Sequence, residues 1–399
     1  MNKKWALGVL LLAALSCRHV KGGASQAESI QDVQQMTIRQ PQGDYQVTCR
    51  DGTVEFASPE KVLRNDVCTG TGTTQDVVCI AVSGGFVPTA TKNGTAFGLP
   101  MPEKDCRAAT AAARYGAVCG NSGGYGPFRV SDGTQLGQMS SIGSCVAATA
   151  GARHGVVCTG KEGETFMINI ASGRKYGDRI RMSECLENLS GVRYETMCSF
   201  TDNQYFITNI ISGQTYGEGR GKADCLTANS SASPHAVCIG RRGGWVVARG
   251  VDGSEMGEPM QLSDCTLITK SVREETLCSK RDGVFFPTPI GAGIQLGNIG
   301  ESRDECLELV STANFKVVCA KANSGGYIPT RILDGGELGQ AMAKEACKAA
   351  TSAIQRDMIC TYQNGTYFPS RIDDGRPLGA GSSLDLCLKA VANGVFPRN

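Results

Sequence analysis

VVCTGKEGETFMINIASGRKYGDRIRMSECLENLSGVR, residues 156–193, decides how the chain is built, because close copies of its pattern return about every forty residues from Cys49 to the end. Read from its start, it is a strand ending in Cys158, a polar turn over 161–164 and a second strand over 165–170. A Ser-Gly-x-x-Tyr-Gly turn follows over 172–177, then a short helix with Cys185 in its first turn. Glycine tolerates positive φ, and Ser, Asn or Asp just before it favours a tight reversal. Ser183 and Glu184 signal the helix start, with Leu186, Leu189 and Val192 at three-residue spacing behind them. The unit is ββα.

The turn glycine recurs at Gly94, Gly133, Gly173, Gly213, Gly253, Gly293, Gly335 and Gly375. A closing glycine stands four residues later each time, at Gly98, Gly137, Gly177, Gly217, Gly257, Gly297, Gly339 and Gly379. A shorter copy leads: Cys49 to Cys68 keeps the Arg50-Asp51-Gly52 turn but lacks the paired glycines, as expected of an end unit that is capped rather than stacked. The fold expected is an α+β repeat protein of about nine disulfide-stapled units, over 46–76, 77–116, 117–155, 156–195, 196–235, 236–275, 276–316, 317–357 and 358–399. Two shapes satisfy it: an open solenoid, or a closed ring in which the last copy meets the first. A β-propeller has a similar period, but its blades carry four strands and no helix.

The 399-residue chain holds 19 cysteines and only three histidines, His19, His154 and His235, with no C-x-x-C. Metal sites want close cysteine pairs or cysteine mixed with histidine, so disulfides of an oxidising compartment are the reading and no metal or cofactor is expected. Setting Cys17 aside leaves an even eighteen. Pairing within each unit accounts for all of them: Cys49 with Cys68, Cys79 with Cys106, Cys119 with Cys145, Cys158 with Cys185, Cys198 with Cys225, Cys238 with Cys265, Cys278 with Cys306, Cys319 with Cys347 and Cys360 with Cys387. The alternative joins each helix cysteine to the following strand cysteine and leaves Cys49 and Cys387 to close a ring.

The start, MNKKWALGVLLLAALSC, has Lys3 and Lys4 before an apolar run too short to cross a bilayer, which makes residues 1–16 an export signal. Its end, Ala14-Leu15-Ser16-Cys17, resembles the lipobox of bacterial lipoproteins, with leucine and the small residue in exchanged places; ordinary cleavage after Ala14-x-Ser16 is the rival. The resemblance implies lipidation at Cys17. With Arg18 rather than Asp next, it also implies an outer-membrane lipoprotein facing the periplasm or the surface. Residues 17–45 then read as a polar tether reaching roughly 30 Å, with a short helix around 28–35. A net charge of +2 with interspersed signs excludes a general attraction to nucleic acid.

The second strand divides its residues between two faces. One holds Phe206 and Ile210, Phe286 and Ile290, and Phe368 and Ile372, expected to meet the helices. The other starts with an aromatic, including Phe86, Tyr125, Tyr205, Trp245, Phe285, Tyr327 and Tyr367, and ends on Arg129, Asn169, Asn209, Arg249, Arg331 or Arg371. Stacked side by side these form rows that suit a binding face for a protein or glycan of the envelope, with Tyr125, Arg129, Tyr205, Asn209, Trp245, Arg249, Tyr327, Arg331, Tyr367 and Arg371 as its candidates. The competing reading buries the aromatics as a second core layer, with the Arg stems packed over the next unit.

No serine-nucleophile elbow, phosphate loop or zinc-protease motif occurs, so the protein is not expected to be an enzyme. Asp132, Asp252, Asp334 and Asp374 beside turn glycines are turn formers, and acids before helix cysteines, such as Glu184 and Asp264, are helix starters. His154 and His235 read as loop residues at the start of strands. Pro234 is expected to end its helix early, and an enzymatic reading, the least supported, would require a cleft at this irregular unit, over 225–238 with Ser233, Pro234 and His235. The leading expectation is a non-enzymatic, membrane-anchored envelope scaffold. The alternative is a purely structural envelope protein.

Overall fold

The computed structural model describes residues 33–40, 43–50, 53–58, 76–161 and 163–394. The signal segment, Cys17 and Cys68 lie outside the described residues. Among those described, eight full units follow one another, and we number them one to eight from residue 77. Unit three is the reference: a first strand Val156–Thr159, a second strand Thr165–Asn169, and a helix Met182–Ser190. The other helices are Glu103–Ala111, Ile142–Gly151, Lys222–Ser230, Leu262–Lys270, Arg303–Ser311, Lys344–Ser352 and Leu384–Asn393. Ahead of them, Val33–Gln40, Gly43–Arg50 and Thr53–Ser58 make an antiparallel sheet, so the strands begin inside the stretch expected to be tether, and 33–35 is strand, not helix.

All eight cysteine pairs described join the first strand to the helix of the same unit, with 26 to 28 residues between partners and Cα atoms 5.6–6.0 Å apart. Cys387 is bonded to Cys360, which excludes the end-to-end Cys49 bridge. The helices are short because one turn supplies the cysteine and the next two supply the remaining buried contacts: Cys185, Asn188 and Leu189 face inward in unit three. Ser141, Ser302 and Ser383 cap their helices by accepting a backbone N–H. In unit three the helix starts at Met182, one residue before Ser183, and the Glu184 carboxylate accepts the Arg181 N–H.

Two corrections to the sequence reading emerge. First, the glycine turn does not release the chain toward the helix but folds it into a third β segment. Gly173, at φ +71°, donates to the Asn169 carbonyl, and Asn169 in turn donates to that of Arg174. The third segment is a full strand at Lys175–Ile180 and Thr215–Arg220, and elsewhere it touches the second strand through single bridges such as Ala248 with Glu255.

Second, the faces of the second strand are exchanged. Directly paired residues of a hairpin share a face, and the first-strand cysteine pairs with the middle residue of the aromatic face: Cys198 with Ile207, Cys319 with Pro329. The disulfide therefore puts Tyr205, Ile207 and Asn209 under the helix. Phe206 and Ile210 take the opposite face, where Ile210 joins the core of the preceding units.

Units are joined through the closing glycine. A Cβ at Gly177, which sits at φ +69°, would lie 2.3 Å from the Phe200 carbonyl oxygen in the next first strand. The residue after the closing glycine then donates its N–H to that same strand position, as Glu258 does to Lys280 at 2.9 Å and Gln340 to Tyr362 at 2.7 Å. The cores consequently run on from unit to unit, one of them from Cys198 to Val310. No helix among the described residues is long and apolar enough to cross a membrane, and the disulfides point to an oxidising compartment.

Candidate functional site: the turn edge of the array

The strand-two residues come together as rows, and each row is taken up by a neighbouring unit. The aromatics reach back: Tyr125 donates to Asp105 at 3.3 Å, Tyr327 donates to the buried Glu301 at 2.6 Å, and Arg220 lies over the Trp245 ring. Burial, reinforced by the carboxylate each donates to, raises the phenol pKa of Tyr125 and of Tyr327. Tyr205 and Trp245 are buried, and Tyr367 is half-buried against Tyr362. The polar residues reach forward to a turn carbonyl 41 or 42 residues on: Arg129 to Ile170, Asn209 to Gly250, Arg249 to Gly291 and Arg331 to Asp373. Only Arg371 of the candidates is exposed; it pairs with Asp373 of its own turn.

Exposed aromatics occur at a different position. Tyr115, Tyr194 and Phe315 are 51%, 43% and 48% exposed, and all three stand four residues before a first-strand cysteine. They belong to two-residue turns between a helix and the next strand. Arg193 and Thr196 exchange both backbone hydrogen bonds around Tyr194 and Glu195. Such turns demand positive φ and favour Asn-Gly. Here bulky residues take the first position instead: φ is +49° at Tyr115, +44° at His154, +50° at Tyr194 and +45° at Phe315. A non-glycine residue held there costs about 1–2 kcal/mol, so the rings are displayed at the expense of backbone strain. The sequence carried this signal as an aromatic or His four residues before four of the eight first-strand cysteines, at Tyr115, His154, Tyr194 and Phe315, and the reading of strand faces passed over it.

Pro234 does not end its helix early, since Lys222–Ser230 is as long as Met182–Ser190; it stands beyond the helix, and the pattern breaks instead in the corner leading into unit five. Proline fixes φ near −65°, so Pro234 cannot adopt the turn. Ser233 still donates its N–H to Ala236 at 2.9 Å, and its hydroxyl takes over as acceptor for the Ala236 N–H at 3.0 Å. A half-open cavity of about 230 Å³ lies beside this corner. At the regular corner of Tyr115 the corresponding space is about 20 Å³. Glu195, His235 and Glu275 line the larger cavity from three consecutive units, Arg249 stands in its wall, and Pro234, Val251 and Ile290 supply its apolar part.

No family model matches the chain, and no curated protein matches it. Among solved structures the chain is similar to the computationally designed Ika8 protein, at 13% identity and a TM-score of 0.18, over 71% of this chain and 89% of that one. It is also similar to BamB from Moraxella catarrhalis, at 12% identity and a TM-score of 0.17, over 68% of this chain and 87% of that one. At such scores neither likeness carries an argument.

Proposed function

We propose that the protein is a non-enzymatic scaffold of the cell envelope, an outer-membrane lipoprotein anchored through Cys17. Its units form an open solenoid that engages a protein or glycan along its turn edge. One observation carries the reading: the exposed aromatics Tyr115, Tyr194 and Phe315 recur at one position of the repeat, on strained turns. Aromatic rings are the usual anchors of binding faces, and strain that persists at exposed positions points to a role other than stability. The strand-two rows do not serve here, because unit stacking occupies them. Support for the open form comes from Cys387, which is bonded within its own unit, to Cys360, rather than to the first unit.

The purely structural reading stays in competition, favoured by that occupation of the strand-two rows. Tyr194→Gly and Phe315→Gly in one chain separate the two readings. Glycine accepts positive φ, so the pair is expected to raise stability by about 1–2 kcal/mol. With Cys17→Ser removing the lipid, the same chain is expected to lose retention on envelope fractions that the ring-bearing chain keeps. Equal retention of both chains overturns the binding edge and leaves the structural reading.

A further inference from the structure

We infer that the cleft at Pro234 is a binding site for a small zwitterion, a molecule of amino-acid size carrying an ammonium group and a carboxylate. The position three residues before the first-strand cysteine is glycine in units two and three, at Gly116 and Gly155, and Lys316 and Asp357 in units seven and eight. Only across units four to six does it read acid, histidine, acid: Glu195, His235, Glu275. Their backbones are pinned, since the Glu195, His235 and Glu275 carbonyls accept the N–H groups of Ile210, Gly250 and Ile290. Their side chains are exposed and make no hydrogen bond or ion pair among the described residues. Three unpartnered polar groups are thus held by fixed backbone around a cavity of about 230 Å³, where the regular corner of Tyr115 has about 20 Å³.

The composition of the wall selects the ligand. No three His, Cys, Asp or Glu side chains among the described residues converge closely enough to hold a metal ion, so the two carboxylates suit an organic cation that extends between them. Arg249 makes a lone anion or a lone cation an incomplete match. Its Nε donates to Ser254 Oγ at 2.7 Å and lies 3.9 Å from the Asp252 carboxylate, and one terminal nitrogen donates to the Gly291 carbonyl at 3.4 Å; the second terminal nitrogen has no hydrogen bond among the described residues and is the one offered to a carboxylate. Pro234, Val251 and Ile290 cover a short hydrocarbon between the two ends. A volume of about 230 Å³ falls below the roughly 300–1,000 Å³ of drug-sized sites, which limits the occupant to one or two amino-acid residues.

Calorimetric titration of the full chain with L-lysine, and with cadaverine as the same diamine without the carboxylate, tests the site. Lysine is expected to bind, and cadaverine to bind about tenfold more weakly. Arg249→Met should bring lysine down to the level of cadaverine, and Glu195→Gln with Glu275→Gln should abolish both. Pro234→Tyr with His235→Gly rebuilds the Tyr115-Gly116 corner, so that variant is expected to fold and to lose binding. Phe315→Gly, remote from the cleft, should leave binding unchanged, which separates this site from the turn edge. The proposal is overturned by absence of lysine binding at millimolar concentration, by equal affinity for cadaverine, or by binding that survives the rebuilt corner.

Discussion

Asn209 does two things with one side chain. Its oxygen accepts the N–H groups of Ile211 and Ser212, at 2.9 and 2.8 Å, and so shapes its own turn, while its nitrogen donates to Gly250 of the next unit at 3.0 Å. The residue is buried, so each bond is made without competition from water. Asn209→Asp keeps the turn and replaces the donor with an oxygen facing the Gly250 carbonyl. It is expected to cost about 1–3 kcal/mol in chemical denaturation, with unit-four amides still protected. A neutral substitution would mean that the forward-reaching row does not brace the array. That row was legible in the sequence as a recurring Arg or Asn. The side it faces was not read from spacing alone, although the parity was there: cysteine and aromatic-face residues pair across the hairpin, and a disulfide to the helix settles which side is covered. Tyr194 shows the opposite limit, since an aromatic beside a turn looks like any loop residue until its φ is known.

At the scale of the element, the helices are nine or ten residues long, too short to be stable alone. Each is held by a bond from its first turn to the centre of the first strand, as Cys225 is to Cys198 across 27 residues. In the chain-entropy model that loop contributes about 3.5 kcal/mol. Replacing both cysteines with alanine should therefore remove about that much, and hydrogen exchange should show protection lost first in Lys222–Ser230. Uniform loss of protection over all units would show that the bridge is not local. The hairpins and helices follow directly from pattern and cysteine spacing. The third β segment did not, because KYGDRI and TYGEGR are charged and glycine-bearing and carry no strand alternation. They are strands because the turn delivers them to the open edge of the hairpin, where the next unit's first strand holds their glycine.

Across the whole molecule, stability is the sum of unit terms and of junctions between neighbours, and the junctions differ in chemistry along the array. Between units six and seven it is partly ionic: Glu308 on one helix receives Lys344 at 2.6 Å and Lys348 on the next. These two ammonium groups hold the Glu308 carboxyl down to about 2. A carboxylate whose pKa is lower folded than unfolded contributes stability that is complete above the unfolded value, about 4.3. That contribution is lost as pH falls from there through the folded value. The side chain is 42% exposed, so screening limits it to about 0.5–1 kcal/mol. Glu308→Gln should therefore lower the thermal midpoint at pH 7, by an amount that shrinks as pH falls below about 4.3 and vanishes only once the pH is below the folded value of about 2. Added salt at pH 7 should narrow the gap. Parallel curves across the whole range would show that the helices are joined by packing alone. In that case the ion pairs at this junction are ornaments of a surface already fixed by the disulfides and the closing glycines.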